Sequence, residues 1–190
     1  SEGGAVASPH SDLLLRAKRF ARQGLVRNKE EFKIPNQGAW HQEVHEFGLN
    51  YRLPDVLCAL GISQLSRINE FKLKRNKIFQ RYENILKSIE ELTIPVARKY
   101  VSPMWHLYHI HVDERLRKNL YNYLHSKNIF VQVNYLPAHW HPVFRNTEHI
   151  SSELTISEKF YKTEISLPIY SELNLNQVEH IGQILTDYFK

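Results

Sequence analysis

The nineteen residues Phe47–Leu65, FGLNYRLPDVLCALGISQL, constrain this chain more than any other stretch. A polar Asn50-Tyr51-Arg52 triplet runs directly into a segment that is apolar on nearly every side: Val56, Leu57, Ala59, Leu60, Ile62 and Leu65. Pro54 suits a first helical turn, where its missing N–H leaves no bond unmade, and Asp55 complements the positive end of the helix dipole. The pattern predicts a loop that turns at once into a helix buried on several faces, with Gly48 supplying backbone freedom. Donors held just ahead of a helix N-terminus are well placed to meet an anion.

Length and composition set limits around this core. A chain of 190 residues can bury roughly 70% of its unfolded surface, enough for one or two domains. The single cysteine, Cys58, lies inside the apolar helix. It reads as a small core residue, excludes a disulfide framework, and suits a reducing compartment. No apolar run approaches the ~20 residues that span a membrane, and no signal-peptide pattern opens the chain. The expectation is a cytoplasmic protein whose sequence, starting at Ser1, begins part-way through a longer one.

The net charge of +5 raises the question of nucleic acid. Lysine and arginine are spread along the chain, however. The densest group, Lys72, Lys74, Arg75, Lys77 and Arg81, is flanked by Glu70 and Glu83 on a predicted helix. That is the signature of a solvated helix face, and no basic–aromatic recognition motif accompanies it. Eleven histidines invite a metal reading. His106, His109 and His111 fall on a predicted strand where alternation brings only 109 and 111 to one side, and no cysteine joins them. No metal site is expected; partly buried, hydrogen-bonded histidines are.

Residues 1–8 read as a turn and a short strand, followed by a helix over Leu13–Gln23 with Gly24 at its C-cap. Residues 25–47 read as a long loop ending in Trp40, His41, His45 and Phe47. From Pro54 an apolar stripe keeps helical spacing to Ile89, predicting two successive helices with a break near Asn69. Beyond Thr93 the chain predicts a strand (Trp105–Val112), a helix (Asp113–Lys127), a strand (Ile129–Val133) and a rigid aromatic loop (Asn134–Arg145). A short helix (Ile156–Lys162), a short strand (Ile165–Leu167) and a last helix (Leu175–Phe189, capped by Asn174) complete it. This alternation implies a small α/β layer domain over residues 92–190.

The run Gly48-Leu-Asn50-Tyr51-Arg52-Leu-Pro-Asp55, followed by Ala59-Leu60-Gly61 and Gln64-Leu65, closely resembles a motif of the DegT/DnrJ/EryC1/StrS sugar aminotransferases. These are pyridoxal 5′-phosphate (PLP) enzymes of the aspartate-aminotransferase-like fold, fold type I. The resemblance extends through the whole chain. It implies an α/β protein forming the C-terminal part of such an enzyme. Residues 1–53 would be the tail of the large domain with its dimer-facing loop, 54–91 connecting helices, and 92–190 the small domain. It implies a homodimer in which Asn50, with Arg52 beside it, meets the PLP phosphate of the neighbouring subunit. The loop Val131–His139 resembles the substrate-facing loop of relatives acting on UDP-linked 4-keto-6-deoxy sugars, which makes Tyr135 and His139 substrate-side candidates. The implied reaction moves an amino group from glutamate to a ketosugar nucleotide. Two positions depart from the pattern: Gln23 and Asn134 each stand where the family tends to have histidine. The Schiff-base lysine would precede Glu2-Gly3-Gly4 and so lie upstream of Ser1, leaving no catalytic residue here and a chain expected to be inactive alone. The rival reading is a non-catalytic dimerisation or binding module derived from that family.

Overall fold

The computed structural model describes residues 3–35, 37–144 and 154–190. The chain divides into two compact units, 1–66 and 67–190. No helix among the described residues is long and apolar enough to cross a membrane.

In the first unit, α1 (Ser11–Phe20) follows a turn in which the Ser8 hydroxyl accepts the His10 N–H at 3.1 Å. The strand expected before it is not formed by residues 3–8, which join neither small sheet, and residues 1–2 lie outside the described residues. Extended backbone becomes a strand only when a neighbour takes its hydrogen bonds. Gln23 and Gly24 take positive φ (64° and 72°), and the Gly24 N–H reaches back to Arg19 O at 2.8 Å, stopping the chain after α1. The stretch read as loop then forms a short antiparallel ribbon, β1 (Leu25–Val26) with β2 (Glu43–Val44), pairing Leu25 with Val44 and Val26 with Glu43.

A carboxylate gathers the connection between these two strands. Glu43, 8% exposed, accepts the backbone N–H groups of Lys33 (2.9 Å) and Ile34 (2.8 Å). Its oxygens also meet Nε2 of His41 (3.0 Å) and of His45 (2.6 Å). Burial alone would raise its pKa. The bonds from Lys33, His41, His45 and Ile34 outweigh that and hold the carboxyl well below the ordinary value of 4.5.

α2 (Asp55–Ser66) starts where the motif placed it, with the Leu57 and Cys58 N–H groups on Pro54 O. Its burial does not match the sequence expectation. No residue of α2 is buried, Val56 and Ile62 are more than 70% exposed, and Cys58 is an exposed thiol rather than a core residue. An apolar composition states that a helix needs covering on several sides; within this chain those sides are open surface. Arg67 (φ −100°, ψ 2°) separates α2 from α3 (Ile68–Leu86), two residues before the expected break.

The second unit holds the main core. α3 lays Ile78, Phe79, Tyr82 and Leu86 inside, and α6 (Leu175–Tyr188) lays Val178, Ile181, Gly182 and Leu185 inside. The two helices pack closely: a Cβ on Gly182 would stand 2.6 Å from Ile85 Cγ2. α6 opens with a capping box between Asn174 and Gln177, as Asn174 promised. β3 (Tyr108–His111) pairs antiparallel with β4 (Glu164–Leu167), Tyr108 opposite Leu167 and His111 opposite Glu164. Single bridges widen this sheet, Thr93 on His111 and Gln132 on Ser166. α4 (Glu114–Ser126), capped by Asp113, adds Leu120 and Leu124, both fully buried. Each such side chain contributes about 1.5–3 kcal/mol of burial.

Two strand expectations are corrected here. β3 begins at Tyr108 instead of Trp105, because the Trp105 and His106 carbonyls are held by Arg75 Nη1 (2.9 and 3.3 Å). The segment 129–133 makes one bridge and no strand. Gln132 exchanges both backbone bonds with Ser166, but the neighbouring ladder positions fail: the Asn134 N–H goes to the Glu164 carboxylate and Pro168 has no N–H to offer. The aromatic loop contains two short 3₁₀ turns, Ala138–Trp140 and Pro142–Phe144; Arg145 lies outside the described residues. α5 (Thr155–Thr163) leads directly into β4.

The Glu43 cluster predicts how the first unit responds to acid. A carboxyl whose pKa is depressed by folding stabilises fully above its ordinary value, and that stabilisation is lost as pH falls through the folded value. The amide resonances of Lys33 and Ile34 should therefore hold position from pH 7 to about 4.5 and move together only below it. A shared transition near pH 6 would show that another group governs the loop.

Candidate functional site

The Asn50 segment is built on backbone. Leu49 N–H donates to Phe20 O (2.7 Å), Gln23 N–H to Leu49 O (3.1 Å) and Tyr51 N–H to Ala21 O (2.9 Å), while Arg22 and Asn50 form an antiparallel bridge. The triplet is thus stitched to the end of α1. This approach requires glycine at two places. A Cβ on Gly48 would stand 2.5 Å from Phe20 O and 2.6 Å from Gly24 N; one on Gly24 would stand 1.7 Å from Glu46 O. Gly48 therefore serves close approach, where sequence reasoning had assigned it conformational freedom.

With the backbone pinned, the side chains of Asn50 and Arg52 stay exposed. Arg52 Nε donates to Asn50 Oδ1 at 2.9 Å. That bond takes one of the amide oxygen's two acceptor sites and turns Nδ2 away from the arginine, so the pair presents mainly donors: the amide NH₂ and the rest of the guanidinium. A dianionic phosphate is the ligand such a pair suits. The residues present fit the phosphate of PLP.

The second candidate segment lies in the 67–190 unit. Tyr135, Leu136, Pro137, Ala138 and His139 form one wall of a cleft of about 490 Å³, with Leu154, Ile156, Ser157 and Phe160 on the other. The Tyr135 ring is 74% exposed. His139 is held at 2.9 Å from Glu158 Oε1 through Nε2, with 10% of its side chain exposed. The structure thus brings Tyr135 and His139 to one cleft.

Two anchors behind this loop escaped the sequence reading. Glu164 is 1% exposed; its Oε2 accepts the Asn134 N–H (2.8 Å) and its Oε1 accepts the Ser166 hydroxyl (2.5 Å). Asn134 Nδ2 donates to Ser166 Oγ at 3.0 Å, so this amide is spent fixing the loop. The Asn134–Tyr135 peptide bond is cis. A glutamate opening an apolar run, Glu164-Ile165-Ser166-Leu167, was the available signal.

The strand histidines are packed groups. His111 Nδ1 lies 2.8 Å from Thr163 Oγ1 and its ring meets Phe160 edge-on. Burial, then the neighbouring His109, pushes its imidazole below the ordinary value. Among the described residues, no three His, Cys, Asp or Glu side chains are grouped as metal ligands.

Comparison with known proteins gives the family and the fold. Residues 1–186 match the DegT/DnrJ/EryC1/StrS aminotransferase family. A UDP-4-amino-4,6-dideoxy-N-acetyl-beta-L-altrosamine transaminase of Helicobacter pylori is 30% identical over 195 residues, covering 100% of this chain and 49% of the relative. Its Campylobacter jejuni counterpart is 29% identical over 189 residues, covering 97% and 47%. The solved structure of Helicobacter pylori PseC, an aminotransferase involved in the biosynthesis of pseudoaminic acid, superposes with a TM-score of 0.82 at 28% identity, over 95% of this chain and 47% of that one. S. venezuelae DesV gives 0.81 at 20% identity, covering 95% and 45%, a likeness of fold alone. The chain spans about half the length of the curated relatives it matches. Its fold is a partial fold-type I PLP transferase, and the family's cofactor is PLP. The chain belongs to the DegT/DnrJ/EryC1/StrS aminotransferase family.

Proposed function

We propose that this chain is the C-terminal portion of a nucleotide-sugar aminotransferase, supplying the loop that holds the cofactor phosphate and the loop that meets the sugar. The observation that carries this is the exposed Asn50–Arg52 pair, pinned by backbone bonds and presenting mainly donors. The reaction is amino transfer from glutamate to a UDP-linked 4-keto-6-deoxy sugar, in cytoplasmic glycan or polysaccharide synthesis. The transaminase relatives support that substrate class.

PLP supplies the aldehyde and the electron-withdrawing ring through which the amino group passes. This chain's part is positional. Asn50 Nδ2 and the Arg52 guanidinium would hold the phosphate of the neighbouring subunit's cofactor. Tyr135 and His139 bind sugar hydroxyls, while Leu136, Ile156 and Phe160 offer apolar wall to the sugar's ring face and methyl. All thirteen lysines are exposed or half-buried, Lys74 being paired with Glu70 and Glu172. None sits in the desolvated setting that favours imine chemistry. The essential lysine therefore belongs to the half of the enzyme that the relatives carry beyond this stretch.

Three outcomes test the reading. The complete enzyme should turn over glutamate and ketosugar nucleotide, and the 190-residue chain alone should not. Borohydride reduction at stoichiometric PLP should leave only scattered trace label on the chain. One lysine labelled near-quantitatively, with turnover, would sink the assignment. In the complete enzyme, Asn50→Ala should weaken PLP retention about ten- to a hundred-fold, the worth of one hydrogen bond to a charged group, with the fold intact. Unchanged affinity removes Asn50 from the site. Finally, Trp40, Phe47, Tyr51 and Val56 are all more than 70% exposed. An apolar surface of this kind belongs in a dimer interface. Light scattering should show self-association, and a clean monomer without dye-binding apolar surface at high concentration would count against the homodimer.

A further inference from the structure

The substrate-side loop is held at both ends by carboxylates from one continuous segment, α5 and β4. Glu164 takes the Asn134 N–H at the start of the loop, and Glu158 takes His139 at its end. The first contact runs to a buried carboxylate and anchors backbone. The second is different in kind, because it fixes a side chain that lines the cleft. An ionised carboxylate only accepts hydrogen bonds, so the His139 nitrogen facing Glu158 Oε1, Nε2, must carry the proton. In the neutral ring this leaves Nδ1 with its lone pair. Nδ1 makes no hydrogen bond among the described residues, and Trp140 flanks the ring edge-on at 5.8 Å. With side-chain exposures of 10% and 24%, His139 and Glu158 are shielded enough for the bond to set the ring's orientation.

We propose that Glu158 is a positioning residue that locks His139 as the Nε2–H tautomer, so that Nδ1 acts as a fixed acceptor for a hydroxyl of a sugar bound in the Tyr135–Phe160 cleft. This rests on the reading of the 134–139 loop as substrate-facing and adds which atom recognises what. The cleft would then select a ligand that donates a hydrogen bond at that point, with Tyr135 and Phe160 supplying ring surface beside it. A ligand presenting an ether or carbonyl oxygen there would face a lone pair and be rejected.

The test uses the full 190-residue chain at pH 8.5, where an ordinary imidazole is neutral, with UDP-N-acetylglucosamine as probe. Long-range proton–nitrogen NMR, assigned through His139→Gln, should show the proton on Nε2 in the free protein and a shift confined to Nδ1 when the probe binds. Glu158→Ala should release the ring to a tautomer mixture and weaken the probe about three- to tenfold, without lowering the unfolding midpoint to match. Glu158→Asp, which keeps the carboxylate on a shorter arm, should recover part of the loss. His139→Asn, whose amide oxygen can stand near the Nδ1 position, should retain binding better than His139→Gln. A proton on Nδ1 in the free protein, or wild-type affinity in Glu158→Ala, overturns the role of Glu158. The stated tautomer with no probe-induced shift at His139 overturns the substrate-loop reading instead, so the two failures are told apart.

Discussion

The seam between the end of α1 and residues 48–51 is where this molecule's candidate chemistry is decided. Three backbone hydrogen bonds and a bridge cross it, and they can form only because Gly24 and Gly48 lack side chains. A backbone conformation fixed by backbone partners leaves the side chains of Asn50 and Arg52 out of the stabilising network. Among the described residues their side chains are bonded to each other. The cost is conformational: Gly24 sits at a φ of 72°, and glycine brings more unfolded-chain entropy than any other residue. The Glu43 cluster steadies the same unit by gathering the 28–45 connection onto one carboxylate.

In the 67–190 unit the stabilising work is divided differently. The core packs α3, α4 and α6 with two strands, and polar groups are placed where regular structure stops. Arg75 holds the carbonyls of Trp105, His106 and Ile169 through one nitrogen, each left over because the strand has not begun or has ended. Tyr82, buried inside that core, still delivers its hydroxyl to Pro168 O at 3.0 Å. Unpaired backbone carbonyls in a core cost about as much as a lost hydrogen bond, and these side chains remove that cost at strand ends.

Much of this was legible from sequence, for reasons that can be named. Helices α1, α3, α4, α5 and α6 carry apolar residues at helical spacing and, at Asp113 and Asn174, side chains that cap them. The Asn50 and Arg52 candidates were drawn from a long motif. What sequence could not supply was the partner of a group. Cys58 and the rest of α2 read as core because apolar residues need covering, and pattern does not say what covers them. The 129–133 segment has strand composition, yet its pairing ends at Gln132, because the Asn134 N–H is taken by a side chain and Pro168 has none to give. Glu43, Glu158 and Glu164 look in sequence like solvated acids. Each becomes informative only through contacts ten, nineteen or thirty residues away.

The two candidate loops are therefore held in place in opposite ways. The Asn50 loop is fixed by main chain, so its geometry tolerates changes at Asn50 or Arg52 but not at Gly24 or Gly48. The 134–139 loop is fixed by side chains, Glu164 with Ser166 at one end and Glu158 at the other, so its geometry can be altered by single substitutions that leave the fold alone. A phosphate is the same group whatever the substrate, and a rigid main-chain frame suits it. A sugar varies in the placing of its hydroxyls, and a loop whose register depends on exchangeable side chains can be re-aimed without rebuilding the core beneath it. Asn134, whose amide is spent on Ser166 here, is where such re-aiming begins. A residue with no donor for Ser166 would free the loop's first turn while leaving the Glu164 contact to its backbone intact.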